Sequence, residues 1–276
     1  MDAKIFGNLW FKKWCELNSL KLRESISIDS DTWLCPNDGK TKDEKWKWGN
    51  TEHAFNVLPE PYWGNINDPS VIFININPGA NYDITNAGQL YSETHSSTAY
   101  DAIASNIFNQ RETEDWHRAR FKWAQEIDNS LIVENGLSIE LIPWHSKKSS
   151  DIAKYIENNT LPIINNINRF AKILPSTGIF KDSFIVRSAA FMDLLDKKEF
   201  YQNLHITKIE NFSLAKKGLI LKPISFLTIV QVNIDKDSKK IKFLVFHGGA
   251  SNKLPPKEYI VLEKNVTLEN FLLNNN

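Results

Sequence analysis

The chain has 276 residues, a formal net charge of zero, 42% hydrophobic residues and 24% charged ones, a balance typical of globular proteins and unlike disordered or fibrous ones. No apolar run approaches the roughly 20 residues of a membrane-spanning helix. Charge neutrality argues against a broadly basic coat for nucleic acid but leaves local clusters open. Cys15 and Cys35 are the two cysteines. With no second pair and no histidine at finger spacing, a zinc site or a cysteine-ligated cluster is not expected.

The opening stretch MDAKIFGNLWFKKWCELNSL mixes charges with aromatics and lacks the continuous apolar core of a signal peptide. Together with the sparse cysteines this suits a reducing cytoplasm. Residues 2–19 fit an amphipathic docking helix with Ile5, Leu9, Trp10 and Trp14 on one stripe. The stretch that follows is polar but carries Trp33, Trp46 and Trp48, so residues 1–56 are expected to form a helical and irregular extension packed on the body.

Residues 57–276 read as one α/β domain. The runs SVIFINI (70–76), LSIELI (137–142), SFIVR (183–187), FLTIVQV (226–232) and IKFLVF (241–246) are short, β-branched or aromatic, and read as strands. Helical candidates lie at 98–108, 113–130 and 151–173 between the first three. Strands alternating with helices predict a three-layer α/β/α sandwich with a mainly parallel central sheet. The last two runs, joined by NIDKDSKK, read instead as a hairpin that gives the sheet an antiparallel part.

Ligands of open α/β sheets bind beyond the carboxyl ends of the strands, so the loops NPGANYD, PWHSKK, SAAF and HGGASNKLP should line one rim. Asn77-Pro78-Gly79 serves either as a turn with an amide cap or as a site in which Asn77 orients a water and Gly79 admits a ligand to the backbone. His247 beside Gly248 and Gly249 is either structural or a neutral imidazole that donates a hydrogen bond to developing negative charge. The basic groups Arg111, Arg118, Arg120 and Lys122, then Lys147 and Lys148, Lys216 and Lys217, and Lys253 with Lys257 read as solvated faces or as phosphate contacts.

PEPYWGN and SVIFININPG, followed far downstream by FHGGASNKLP, resemble the uracil-DNA glycosylase superfamily. The first motif is similar to that of its mismatch-specific (thymine/uracil) branch, which carries Asn-Pro-Gly where the uracil-specific branch carries Asp-Pro-Tyr. The resemblance covers roughly residues 58–82, 136–148 and 241–256. It implies a cofactor-independent DNA glycosylase that flips a pyrimidine out of the duplex and leaves an abasic site.

Residue by residue, the resemblance gives Asn77 the attacking water and His247 the pyrimidine O2. Gly79 stands where the uracil-specific branch has a Tyr that rejects a 5-substituent, unless Tyr82 or Trp144 fills that space. Glu140 lies on the strand that reads the base, and a carboxylate suits the exocyclic amine of cytosine; its alternative is an outward-facing pair with a surface cation. His145 and Trp144 are further base contacts. Ser146, Lys147, Gly248, Gly249, Ser251, Asn252 and Lys253 would meet DNA.

The expected substrate is therefore a 5-modified cytosine of phage DNA, in an anti-phage defence setting. The rivals are repair of uracil or thymine mismatches, a non-catalytic sensor of modified bases with the same pocket, and hydrolysis of free nucleosides. DNA is the expected partner; a membrane or an obligate protein partner is not.

Overall fold

The computed structural model describes residues 62–65, 68–76, 113–141, 160–218, 222–234, 239–248 and 253–274. The N-terminal extension and the helical candidate at 98–108 lie outside these. Two compact units emerge, one comprising Met1–Trp63, Ile76–Asp115 and Glu140–Asn166, the other Gly64–Asn75, Trp116–Ile139 and Ile167–Asn276. In the first, the described residues are short segments, with Tyr62, Ile76, Glu140, Leu141, Ile163 and Ile164 buried. The second holds the greater part of the sheet.

The strands are β1 (Tyr62–Gly64), β2 (Val71–Asn75), β3 (Gly136–Glu140), β4 (Ser183–Arg187), β5 (Ile206–Ala215), β6 (Ser225–Ile234), β7 (Lys239–His247), β8 (Ile260–Val261) and β9 (Val266–Thr267). The helices are α1 (Thr113–Ile127), α2 (Thr160–Phe170), α3 (Ala189–Leu195), α4 (Lys198–Asn203) and α5 (Leu268–Asn274). The sheet order is β1-β3-β2-β4-β7-β6-β5-β8-β9. β2 pairs with β4 and β4 with β7 in parallel, whereas β7–β6, β6–β5, β5–β8 and β8–β9 are antiparallel.

The expectation of a mainly parallel three-layer sandwich is thus wrong: the sheet is mixed, and antiparallel pairings dominate its second half. The reason lies in the connections. A parallel crossover needs a dozen or more residues, usually with a helix, but β6 reaches β7 across residues 235–238 alone, which leaves only a hairpin. The register Ile234↔Lys239 through Phe226↔His247 is that hairpin's ladder. β5, β8 and β9 then extend it, with no helix among the described residues between β5 and β6.

β2 and β4 are buried along nearly their whole length, as strands covered on both faces must be. Register places Phe73, Ile185 and Leu244 on one face and Ile72, Phe184 and Phe243 on the other. α1 covers the first face. Its buried residues His117, Arg120, Phe121, Trp123, Ala124 and Ile127 lie along one broad face of the helix. Phe121 and Trp123 meet Phe73 at ring distances of 5.8 and 6.5 Å, and Trp123 meets Phe246 edge-on at 5.4 Å. Gly136 makes room for this layer, since a Cβ there would collide with the Phe121 ring. Phe191 of α3 packs on the second face against Phe243 at 5.3 Å, and Phe243 stacks on Phe184 at 5.4 Å.

A polar cluster sits inside the α1 layer. Asn75 donates to Ser138 Oγ at 2.8 Å and accepts from Arg120, whose guanidinium lies 5.9 Å from the centre of the Phe73 ring. Arg120 was a candidate for a solvated basic face; the structure buries it, because the helical period that brings Phe121 and Ala124 to the sheet brings position 120 with them. Lys257 of another basic group pairs with Glu269 at 3.1 Å. Among the described residues, no helix is long and apolar enough to cross a membrane.

His117, one turn before Arg120, is held neutral. Burial, reinforced by the Arg120 charge, lowers its pKa from 6.5 to about 3. Above pH 6.5 the ring is neutral whether the chain is folded or not. Below that, the unfolded chain binds a proton that the folded chain refuses until about pH 3, so stability falls as pH falls, at up to about 1.4 kcal/mol per pH unit. Urea unfolding at about pH 6.5 and about pH 4.5 should therefore show the native chain losing ~2 kcal/mol more than His117→Gln does. Equal losses would show that His117 is not buried as a neutral ring.

Candidate functional site

β2, β4 and β7 run in the same direction as immediate neighbours, so their carboxyl ends share one edge of the sheet. The register Ile74↔Val186 and Val186↔Val245, then Arg187↔Phe246, brings Asn75, Arg187 and Phe246 level, with His247 one residue further out. This is the rim at which an α/β sheet collects ligands.

Arg187 organises the rim. Its Nε donates to the Lys253 carbonyl at 2.9 Å, Nη1 to the Phe246 carbonyl at 3.1 Å and Nη2 to the Gly248 carbonyl at 2.9 Å. One guanidinium thereby joins the end of β7 to the backbone at Lys253. Two residues on, Trp123 Nε1 donates to the Pro255 carbonyl at 2.7 Å, and Lys257 Nζ donates to the Glu126 carbonyl at 3.0 Å. The segment after the rim is thus fastened along α1.

His247 is half-buried. Its ring stacks on Phe226, the residue directly opposite in the β6–β7 ladder, with centroids 5.5 Å apart and planes inclined by 24°. Its Nε2 lies 2.9 Å from Thr228 Oγ1, and that hydroxyl donates to Asn211 Oδ1 at 2.7 Å. Burial, and then the Arg187 charge, push the imidazole pKa below its ordinary 6.5, so the ring is neutral at physiological pH. Gly248 turns the chain at φ +72°, where a Cβ would stand 2.9 Å from Phe226 Cδ2. Only a glycine takes that conformation without strain and leaves the Phe226 ring in place.

Of the residues singled out from the sequence, the structure gathers His247, Gly248 and Lys253 around Arg187. Lys253 contributes its carbonyl there. Glu140, in the other unit, ends β3 and is buried, 5% exposed. Asn77, Gly79, Tyr82, Trp144, His145, Ser146, Lys147, Gly249, Ser251 and Asn252 lie outside the described residues.

Sequence reasoning missed Arg187, Asn211, Phe226 and Thr228. Arg187 carried a usable signal, a single cation ending the apolar run SFIV at a predicted rim. Thr228 is a hydroxyl inside an apolar strand, and its importance depends on a cross-strand neighbour that the sequence does not name. Comparison with family models, with curated proteins and with solved structures gives no match to this chain.

Two substitutions test this geometry. Arg187→Met removes three charge-assisted bonds and should cost about 2 kcal/mol of stability, while the His247 pKa, followed by NMR titration, rises toward 6.5; an unmoved pKa would show that the imidazole does not feel the Arg187 charge. Gly248→Ala should cost about 1–2 kcal/mol through backbone strain and shift the aromatic resonances of Phe226. An alanine variant as stable as the native chain, with Phe226 unshifted, would contradict the close approach.

Proposed function

We propose that the chain is a DNA glycosylase that hydrolyses the N-glycosidic bond of a pyrimidine flipped out of DNA, with a 5-modified cytosine of phage DNA as its substrate and anti-phage defence as its setting. The observation that carries the reading is the common edge of β2 and β7. β2 ends at Asn75, two residues before the Asn77-Pro78-Gly79 motif, and β7 ends at His247; β4 alone lies between them, parallel to both. Asn75 and the start of the second motif, far apart in sequence, thus end neighbouring parallel strands at one edge of the sheet.

The chemistry asks for few groups. Breaking the bond between C1′ and the base leaves an oxocarbenium-like sugar and an anionic base, and a water must then be delivered to C1′. In this reading Asn77 orients the water, His247 is the titratable group beside the reacting bond, and Gly79 leaves space at the pyrimidine C5. Glu140, a carboxylate at the end of a buried strand, accepts from the exocyclic amine of cytosine. With no net charge on the chain, DNA recognition in this reading rests on local phosphate contacts, whose number sets the salt dependence.

The test is base release from a panel of duplex oligonucleotides carrying cytosine, 5-hydroxymethylcytosine, glucosylated 5-hydroxymethylcytosine, uracil or a G:T mismatch, read as strand scission after alkali. Release from the 5-modified cytosines, lost in Asn77→Ala, is the expected result. Release confined to uracil or thymine would replace it with the repair reading. Intact strands throughout would overturn the enzymatic reading.

A further inference from the structure

Three neighbouring strands contribute one polar line to the sheet. Register pairs Asn211 of β5 with Thr228 of β6, and Thr228 with Val245 of β7. His247 lies two residues beyond Val245, so all three side chains project from the same face. Asn211 is exposed, Thr228 is 0% exposed and His247 is half-buried, which leaves the hydroxyl in the middle to be satisfied by its two protein neighbours.

The direction of this line follows from counting protons. A hydroxyl has one hydrogen to donate, and Thr228 gives it to Asn211 Oδ1. Toward the imidazole its oxygen can then only accept, so Nε2 at 2.9 Å carries the ring hydrogen. The neutral imidazole has one such hydrogen; Nδ1 is therefore left as a bare lone pair. Stacking on Phe226 holds the ring plane, and turning the ring over would forfeit the Thr228 bond.

We infer that Asn211 and Thr228 are positioning residues that hold His247 as the Nε2–H tautomer, so that Nδ1 is the proton acceptor of the site and takes the proton of the water that attacks C1′. The identity of that water rests on the glycosylase reading; the tautomer does not. The expectation from sequence, an imidazole that donates to the leaving base, needs its hydrogen on the nitrogen facing the base, and here the hydrogen is committed to Thr228.

The step balances. The water oxygen bonds to C1′ as the C1′–N1 electron pair departs with the base, one water proton moves to Nδ1, and the resulting imidazolium passes it to the base anion. An amide such as that of Asn77 cannot accept a proton, whereas an imidazole can. Among the described residues, the charge that acts on His247 is that of Arg187 of β4, which favours the neutral, accepting form. β6 carries no titratable residue, and Lys208 and Glu210 of β5 close on one another at 2.9 Å.

The test reads the tautomer directly. In long-range ¹H–¹⁵N spectra of the ¹⁵N-labelled full chain, with His247 assigned by its loss in His247→Gln, Nε2 should be of the protonated type and Nδ1 of the unprotonated type. Thr228→Val should mix the two forms, as should Asn211→Ala, a surface change that spares the core. A predominant Nδ1–H form in the native chain, or a tautomer unmoved by both variants, would overturn the inference. On an oligonucleotide that the native chain cleaves, base release should fall about tenfold per pH unit below the His247 pKa measured in the same spectra, and a rate flat across that pKa would equally overturn it. Intact strands from the whole panel would sink the glycosylase reading, and the spectra would still decide the tautomer.

Discussion

A single guanidinium ties the rim together. Arg187 ends β4 level with Phe246, and its three bonds to the carbonyls of Phe246, Gly248 and Lys253 hold the end of β7 to the backbone at Lys253. A carbonyl at a strand end has lost its ladder partner, and an unsatisfied carbonyl at a half-buried rim is costly. Satisfying three of them from one rigid fork makes the end of β7 a defined turn. His247 inherits its position from that turn and its neutrality partly from the same cation.

The two halves of the sheet contribute different things to this arrangement. The parallel half, β2, β4 and β7, brings Asn75, Arg187 and Phe246 level at one edge. The antiparallel half decides what the imidazole can do, because Phe226 and Thr228 come from β6 and Asn211 from β5. A sheet that remained parallel past β7 would pair it with a strand of opposite direction to β6, and the register that sets Phe226 opposite His247 would not exist. The departure from the expected architecture is therefore part of the candidate site.

Legibility followed burial. SFIVR matches β4 residue for residue, and SVIFINI, FLTIVQV and IKFLVF each lie within or overlap a strand, since strands buried on both faces are written as continuous apolar runs. β5 escaped because its first half, ITKIEN, is mostly exposed and carries charges that break the pattern. Helix α1 was visible from its period, but the same period hid the burial of His117 and Arg120, whose polar character marks them as surface until the partner Asn75 is known. Within the site, His247 and Gly248 were legible as residue types with special chemistry or backbone freedom. Thr228 and Asn211 were not, because their roles reside in cross-strand register, which a single strand's sequence does not encode.

The His117–Arg120–Asn75–Ser138 cluster bears on the rim through β2. Buried amides and guanidinium groups stay in a core only when their hydrogen bonds are satisfied together, and here the bonds run from α1 to β2 and from β2 to β3. A shift of β2 along its neighbours would exchange Asn75 for an apolar neighbour and leave Arg120 facing hydrocarbon, so the cluster penalises slippage at the last residue of the strand. That residue lies two positions before Asn77. The same polar cluster that costs stability at low pH, through a His117 that resists protonation, thus pins the register of β2, just as Arg187 pins the end of β7.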